Sequence, residues 1–230
     1  MTNNALSAAV LTAALAISNQ ALARAPAPLV PTALVEDVES ASADIEFMDY
    51  VGTGQVIKLE PSDVLVLSYL KSCEHETITG GTVHVGSDKS DVEGGKIVRT
   101  KVRCNGGYMK LSPEQANASG ASSYRLQNAS FKTTVYALPP VIQIPKMRTG
   151  DGRTLVIERT NRPSERFAIE IDESLGNGGF YDLAKTDTRL RRGALYTATL
   201  GSRSFTFKVD AKAKTGNAPV VSRLLRFPPG

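Results

Sequence analysis

The chain has 230 residues, a mass of 24.6 kDa and a net charge of +4, with 41% hydrophobic and 22% charged residues. This is the composition of an ordinary globular protein with enough apolar mass for a core, and it excludes collagen-like, wholly disordered and multi-span membrane classes. Trp is absent and His occurs twice, so chemistry that needs several histidines is excluded too.

Residues Ala5 to Ile17 form an apolar run of 13, followed by Ser18-Asn19-Gln20 and then Ala21-Leu22-Ala23. That is the h-region and small-x-small end of an export signal, too short to span a bilayer, and it predicts cleavage after Ala23. The expected location is therefore periplasmic or secreted, with residues 1–23 as the signal peptide and no membrane-spanning segment after cleavage. Residues 24–44 are rich in Pro, Ala and Ser without a sustained period, and read as an extended linker.

Beyond the linker the dominant period is two. Asp63–Leu70 is a near-continuous apolar run, expected to be a strand buried on both faces. Gly80-Gly81 and Gly94-Gly95 read as tight hairpin turns, because glycine supplies the positive φ that such turns require. In the strand that follows, Val98, Thr100, Val102 and Cys104 share one face, and Ile97, Arg99, Lys101 and Arg103 share the other. Ser112-Pro113-Glu114-Gln115 carries an N-cap, a Pro at the first helical position and a Gln at N3, the signature of a single helical turn. Lys132–Leu138 is a further strand, ended by Pro139-Pro140. Strand-like segments recur at Thr154–Glu158, Phe167–Ile171, Tyr196–Leu200 and Phe205–Val209, with turn residues between them.

The expected fold is all-β: an N-terminal hairpin-rich domain over 45–115, a connection over 116–139, and an immunoglobulin- or fibronectin-like β-sandwich over 140–230. The two parts differ in charge. Residues 24–139 carry 11 Lys+Arg against 14 Asp+Glu, whereas residues 140–230 carry 16 against 9. The densest basic cluster, Arg189, Arg191 and Arg192, is a candidate patch for an anionic partner. Export argues against nucleic acid, which leaves a protein or an anionic envelope component.

Cys73 and Cys104 are the only cysteines, with 30 residues between them. An even count in an exported chain favours a disulfide, worth roughly 3–4 kcal/mol by loop closure. The sharper alternative is zinc: a two-residue turn at Gly80-Gly81 would make His75 and His84 diagonal neighbours on the face that carries Cys73. The spacing C-x-H is unusual for close-paired zinc ligands, so no metal site is assigned. No catalytic or cofactor-binding residue is assigned either. Ser68-Tyr69-Leu70-Lys71 and Lys214-Thr215-Gly216 match S-x-x-K and K-T-G of penicillin-recognising enzymes. However, strand alternation points Ser68 and Lys71 to opposite faces, Lys214–Gly216 reads as a turn, and Ser87-Asp88-Lys89 is a poor S-D-N.

The stretch Val51–Leu70 (VGTGQVIKLEPSDVLVLSYL) resembles the FecR-like periplasmic domain of bacterial envelope sensors, where a turn precedes an apolar strand of a β-rich fold. The resemblance covers about 20 residues of hydrophobic pattern and carries no site residue. It implies a periplasmic protein that works by interaction. The functional expectation is a non-enzymatic interaction or accessory protein of the bacterial envelope; the alternative is an envelope hydrolase with an unrecognised active site.

Overall fold

The computed structural model describes residues 29–103, 110–122, 132–147, 152–172, 174–175, 178–216 and 218–228. The fold is all-β, with one short α-helix among the described residues. The expected signal peptide lies outside them.

The N-terminal sheet contains β1 (Pro31–Glu39), β2 (Tyr50–Gly52), β3 (Val56–Tyr69), β4 (Glu74–Val85), β5 (Ser90–Glu93) and β6 (Lys96–Lys101). Its order is β2-β1-β3-β4-β5, with β6 pairing β4 beyond β5. Pro31–Glu39 of the expected linker is thus a strand, β1, paired with β2 on one side and β3 on the other. Its pattern hid it: Ala33, Leu34 and Val35 are all fully buried. Ala33 and Val35 join the core of this sheet, while Leu34 points into a second cluster, so no alternation of polar and apolar residues emerges.

The glycine pairs make no hairpins. Gly80-Gly81 lies in the interior of β4, and the reversals occur at Leu70–Cys73 and Gly86–Lys89 instead. Thr82 pairs with Glu93 and Thr79 with Lys96, so β5 and β6 form one interrupted strand along β4 with Gly94-Gly95 facing Gly80-Gly81. The positive φ is present, at 63° for Gly80 and 85° for Gly81, but it kinks a long strand rather than turning the chain. The approach is too close for side chains: a Cβ on Gly95 would lie 2.1 Å from the Gly80 carbonyl oxygen. On the other side of β4, the register shift between Leu59 and Val64 makes a bulge in β3, so both long strands bend at the same level.

β3 was expected to be buried on both faces. Instead Leu65, Leu67 and Tyr69 are buried, while Val64, Val66 and Ser68 on the opposite face are half-buried. The inner face also holds charge. Glu76 is fully buried, accepts from Arg99 Nε at 2.8 Å and receives the Ser90 N–H on both carboxylate oxygens at 3.1 and 3.2 Å. Ser90 Oγ lies 2.8 Å from the Tyr69 hydroxyl. Burial pushes that phenol up to about 12.

Next comes α1 (Pro113–Ala118), which bears out the expected cap: Ser112 Oγ accepts from the Gln115 N–H at 3.2 Å, and Gln115 Oε1 accepts from the Ser112 N–H at 3.1 Å. The remaining strands are β7 (Thr133–Leu138), β8 (Val141–Gln143), β9 (Thr154–Arg159), β10 (Arg162–Glu170), β11 (Phe180–Asp182), β12 (Leu195–Leu200), β13 (Arg203–Thr215) and β14 (Leu224–Arg226). A five-stranded sheet, β10-β9-β12-β13-β7, and a three-stranded sheet, β11-β8-β14, share one core that includes Ile142, Ile144, Leu155, Ile157, Tyr196 and Phe207. This is the expected sandwich. Its boundary moves, however, because β7 from the expected connection forms the edge of the larger sheet, parallel to β13.

The two halves are joined by a third cluster in which Leu34 and Tyr50 meet Leu111, Ala116, Ala121, Val221 and Leu224. Gly120 permits the contact; a Cβ there would sit 2.3 Å from the Leu224 carbonyl oxygen. Arg226 on β14 crosses the same junction. Its guanidinium lies 3.0 Å from Asp49 Oδ1 and 2.7 Å from Glu46 Oε2, and it donates to the Phe47 carbonyl. Arg226 and Asp49 are both nearly inaccessible to water.

Candidate functional site

The pairing between β7 and β13 is irregular and borders a concavity. Val209 lies opposite Val135 and Lys214 opposite Ala137, so the four residues Asp210–Ala213 face the single residue Tyr136. A bulge of this kind bends the strand and re-aims its side chains. Ala213 turns into the core, while Lys212 and Lys214 stand exposed. Asp210 stabilises the bulge by accepting the Lys212 N–H on Oδ1 at 2.8 Å.

Beside this bulge lies a cleft of about 590 Å³, lined by Asp210, Lys212, Lys214, Thr215 and Tyr136 on one side and by Lys110, Leu111 and Gln115 on the other. Ala218, Pro219 and Ser222 close it. The capping box of α1 fixes Gln115 at the rim, and the turn at Val220–Ser222 is held by Ser222 Oγ donating to the Pro219 carbonyl at 2.7 Å. Three lysines and one aspartate therefore line the same cleft. Burial, with the Asp210 carboxylate beside it, raises the Tyr136 phenol above its ordinary value of 10.0, so it remains a protonated hydrogen-bond donor at neutral pH. Chemically the cleft offers cations, a phenolic donor and an apolar floor from Leu111, Ala218 and Pro219. That combination recognises an anion with an apolar part attached.

The residues singled out from sequence lie elsewhere. Arg189, Arg191 and Arg192 are exposed on the segment before β12. Arg191 is partly neutralised, with Nε 3.7 Å from Glu165 Oε2, and its backbone N–H donates to the Tyr196 hydroxyl at 2.9 Å. Arg159 lies 3.1 Å from the same carboxylate. Burial alone would raise the Glu165 carboxyl, but the Arg159 and Tyr196 hydrogen bonds and both arginine charges hold it below the ordinary range.

The imagined zinc geometry does not form. His75 and His84 are nine positions apart on one strand, roughly 30 Å in extended chain, and each has its own carboxylate: Glu36 at 3.1 Å and Glu93 at 3.7 Å. Among the described residues no group of three His, Cys, Asp or Glu side chains could hold a metal ion. Cys104 lies outside the described residues. Ser68 is on β3, opposite Leu34 and His75, and does not line the cleft. Lys214 and Thr215 end β13 rather than forming the expected turn, because they resume pairing with Ala137 and Leu138 after the bulge.

The cleft is not legible in the sequence because Lys110 lies about 100 positions before Lys212 and Lys214, and only the fold brings all three to one lining. The local signal is Lys212-x-Lys214, two cations that alternate onto one face of a strand. No helix of the described residues is long and apolar enough to cross a membrane. Comparison with protein-family models, with curated proteins and with solved structures finds no match to this chain.

Proposed function

We propose that this protein is a non-enzymatic interaction or accessory protein of the bacterial envelope, and that it engages an anionic component through the lysine cleft beside β13. The observation that carries this reading is the 590 Å³ cleft, whose lining includes Lys110, Lys212 and Lys214 against the single carboxylate of Asp210. A binding surface needs charge and shape, and both are present there. Neither histidine lines the cleft, and burial makes its tyrosine, Tyr136, harder to ionise. That favours holding an anion over proton transfer.

The export signal at Ala5–Ala23 and the FecR-like pattern of Val51–Leu70 support the periplasmic placement. A disulfide between Cys73 and Cys104 belongs to the same reading. The Cys73 carbonyl accepts the Val102 N–H at 3.1 Å, which brings the chain beside Cys73 two residues before Cys104. No cysteine is free among the described residues.

Calorimetric titration of the purified mature protein with anionic glycan fragments, anionic vesicles and acidic peptides tests the function. At least one class should bind with an affinity that falls as salt rises. Replacing Lys110, Lys212 and Lys214 together by Ala should weaken it at least tenfold, and replacing Arg189, Arg191 and Arg192 should not. Equal loss in both variants would reject the cleft as the site.

A further inference from the structure

We infer that the free edge of β6 is a docking edge on which an acidic, extended segment of a partner protein adds as a further strand of the N-terminal sheet. This surface is separate from the lysine cleft, and the inference does not depend on it. Among the described residues β6 pairs only with β4. The Val102 N–H donates to the Cys73 carbonyl, which continues the register of Glu74 with Lys101. Hydrogen-bonded and non-bonded pairs alternate in an antiparallel ladder, so Val98 and Thr100 direct their backbone groups toward β4. The backbone groups of Ile97, Arg99 and Lys101 then point away from the sheet. They offer the donor and acceptor row that strand addition uses.

The side chains say what would fit. Val98 is 64% exposed and Val102 is 43% exposed, and both lie on one face. Arg99, Lys101 and Arg103 alternate onto the other face, and residues 96–103 carry four cations and no anion. Two of these are partly engaged, Arg99 by Glu76 at 2.8 Å and Lys101 by Glu74 at 4.0 Å. An antiparallel second copy would set cation against cation, which is how natural sheets blunt their edges against self-pairing. The same charges select an incoming strand with glutamate on one face and β-branched residues on the other.

The probe is a capped nine-residue peptide of alternating Val and Glu, titrated into the full chain. Binding should be micromolar. N-methylation of alternate peptide amides should weaken it at least tenfold, as should Lys101→Pro, which removes one outward N–H and leaves the β4 ladder intact. Val98→Glu should weaken it through repulsion, without touching the backbone. Hydrogen exchange at Ile97, Arg99 and Lys101 should slow on binding. Absence of binding, or binding indifferent to N-methylation, would overturn the inference. So would a Val-Lys peptide that binds equally well, loss of binding on replacing Lys110, Lys212 and Lys214 rather than on Lys101→Pro, or a dimer of the free protein that Lys101→Pro dissociates.

Discussion

Single residues set the tightest constraints in this fold, and two of them are glycines facing each other across one ladder. Gly95→Ala would force its Cβ to within 2.1 Å of the Gly80 oxygen, so β4 and β6 must separate locally. The expected cost is about 2–3 kcal/mol. A thermal melt should show this as a fall of roughly 5–10 °C; an unchanged melting point would mean that the kink is not constrained. Asp182 defines a second residue-level expectation. Burial would raise its carboxyl, but both oxygens lie 2.8 Å from Arg223, and this pairing with the Ala184 N–H holds it below the ordinary value. A carboxyl depressed in the folded state contributes stability above its unfolded pKa, and that contribution disappears as pH falls through the folded value. Acid unfolding curves should therefore show Asp182→Asn lying below wild type at neutral pH and converging on it as pH falls through the depressed folded-state value.

At the scale of elements, what could be read from the sequence depended on whether one face of a strand is wet. β9, β12 and β13 alternate plainly and stand where the period of two puts them, and the cap of α1 followed from four residues. β1 was unreadable because Ala33, Leu34 and Val35 are buried toward two different clusters. The glycine pairs were readable as positive φ but not as kinks, since a turn and a bulge make the same demand on the backbone. The cleft was illegible for a different reason: a bulge is a mismatch between two strands, and β7 and β13 are about 75 residues apart in the chain. The cap can be tested directly. Ser112→Ala removes the acceptor for the Gln115 N–H and should cost about 1 kcal/mol. It should also weaken anion binding, because Gln115 and Lys110 stand on that wall. Urea titration alongside calorimetry would separate the two effects.

Among the described residues, the two halves are held together by the apolar cluster around Leu34 and Tyr50, the edge-to-face pair of Phe47 and Phe180, and the buried Arg226. Asp49→Ala leaves Arg226 with Glu46 and a carbonyl in a water-poor site, and should cost about 3 kcal/mol. Because β7 supplies Val135 and Leu138 to the sandwich core, a fragment of residues 141–230 should lack a cooperative transition, whereas one beginning at residue 132 should retain it. Circular dichroism melts of the two fragments check this. The central claim, an anion held between α1 and the bulge of β13, is tested most directly by NMR titration of the mature protein with the anionic probe that binds best in calorimetry. The account predicts saturable shifts centred on the amides of Lys110, Tyr136, Lys212 and Lys214, removed by the triple Lys→Ala variant. Shifts centred on Arg189–Arg192, with these four amides unmoved, would contradict it.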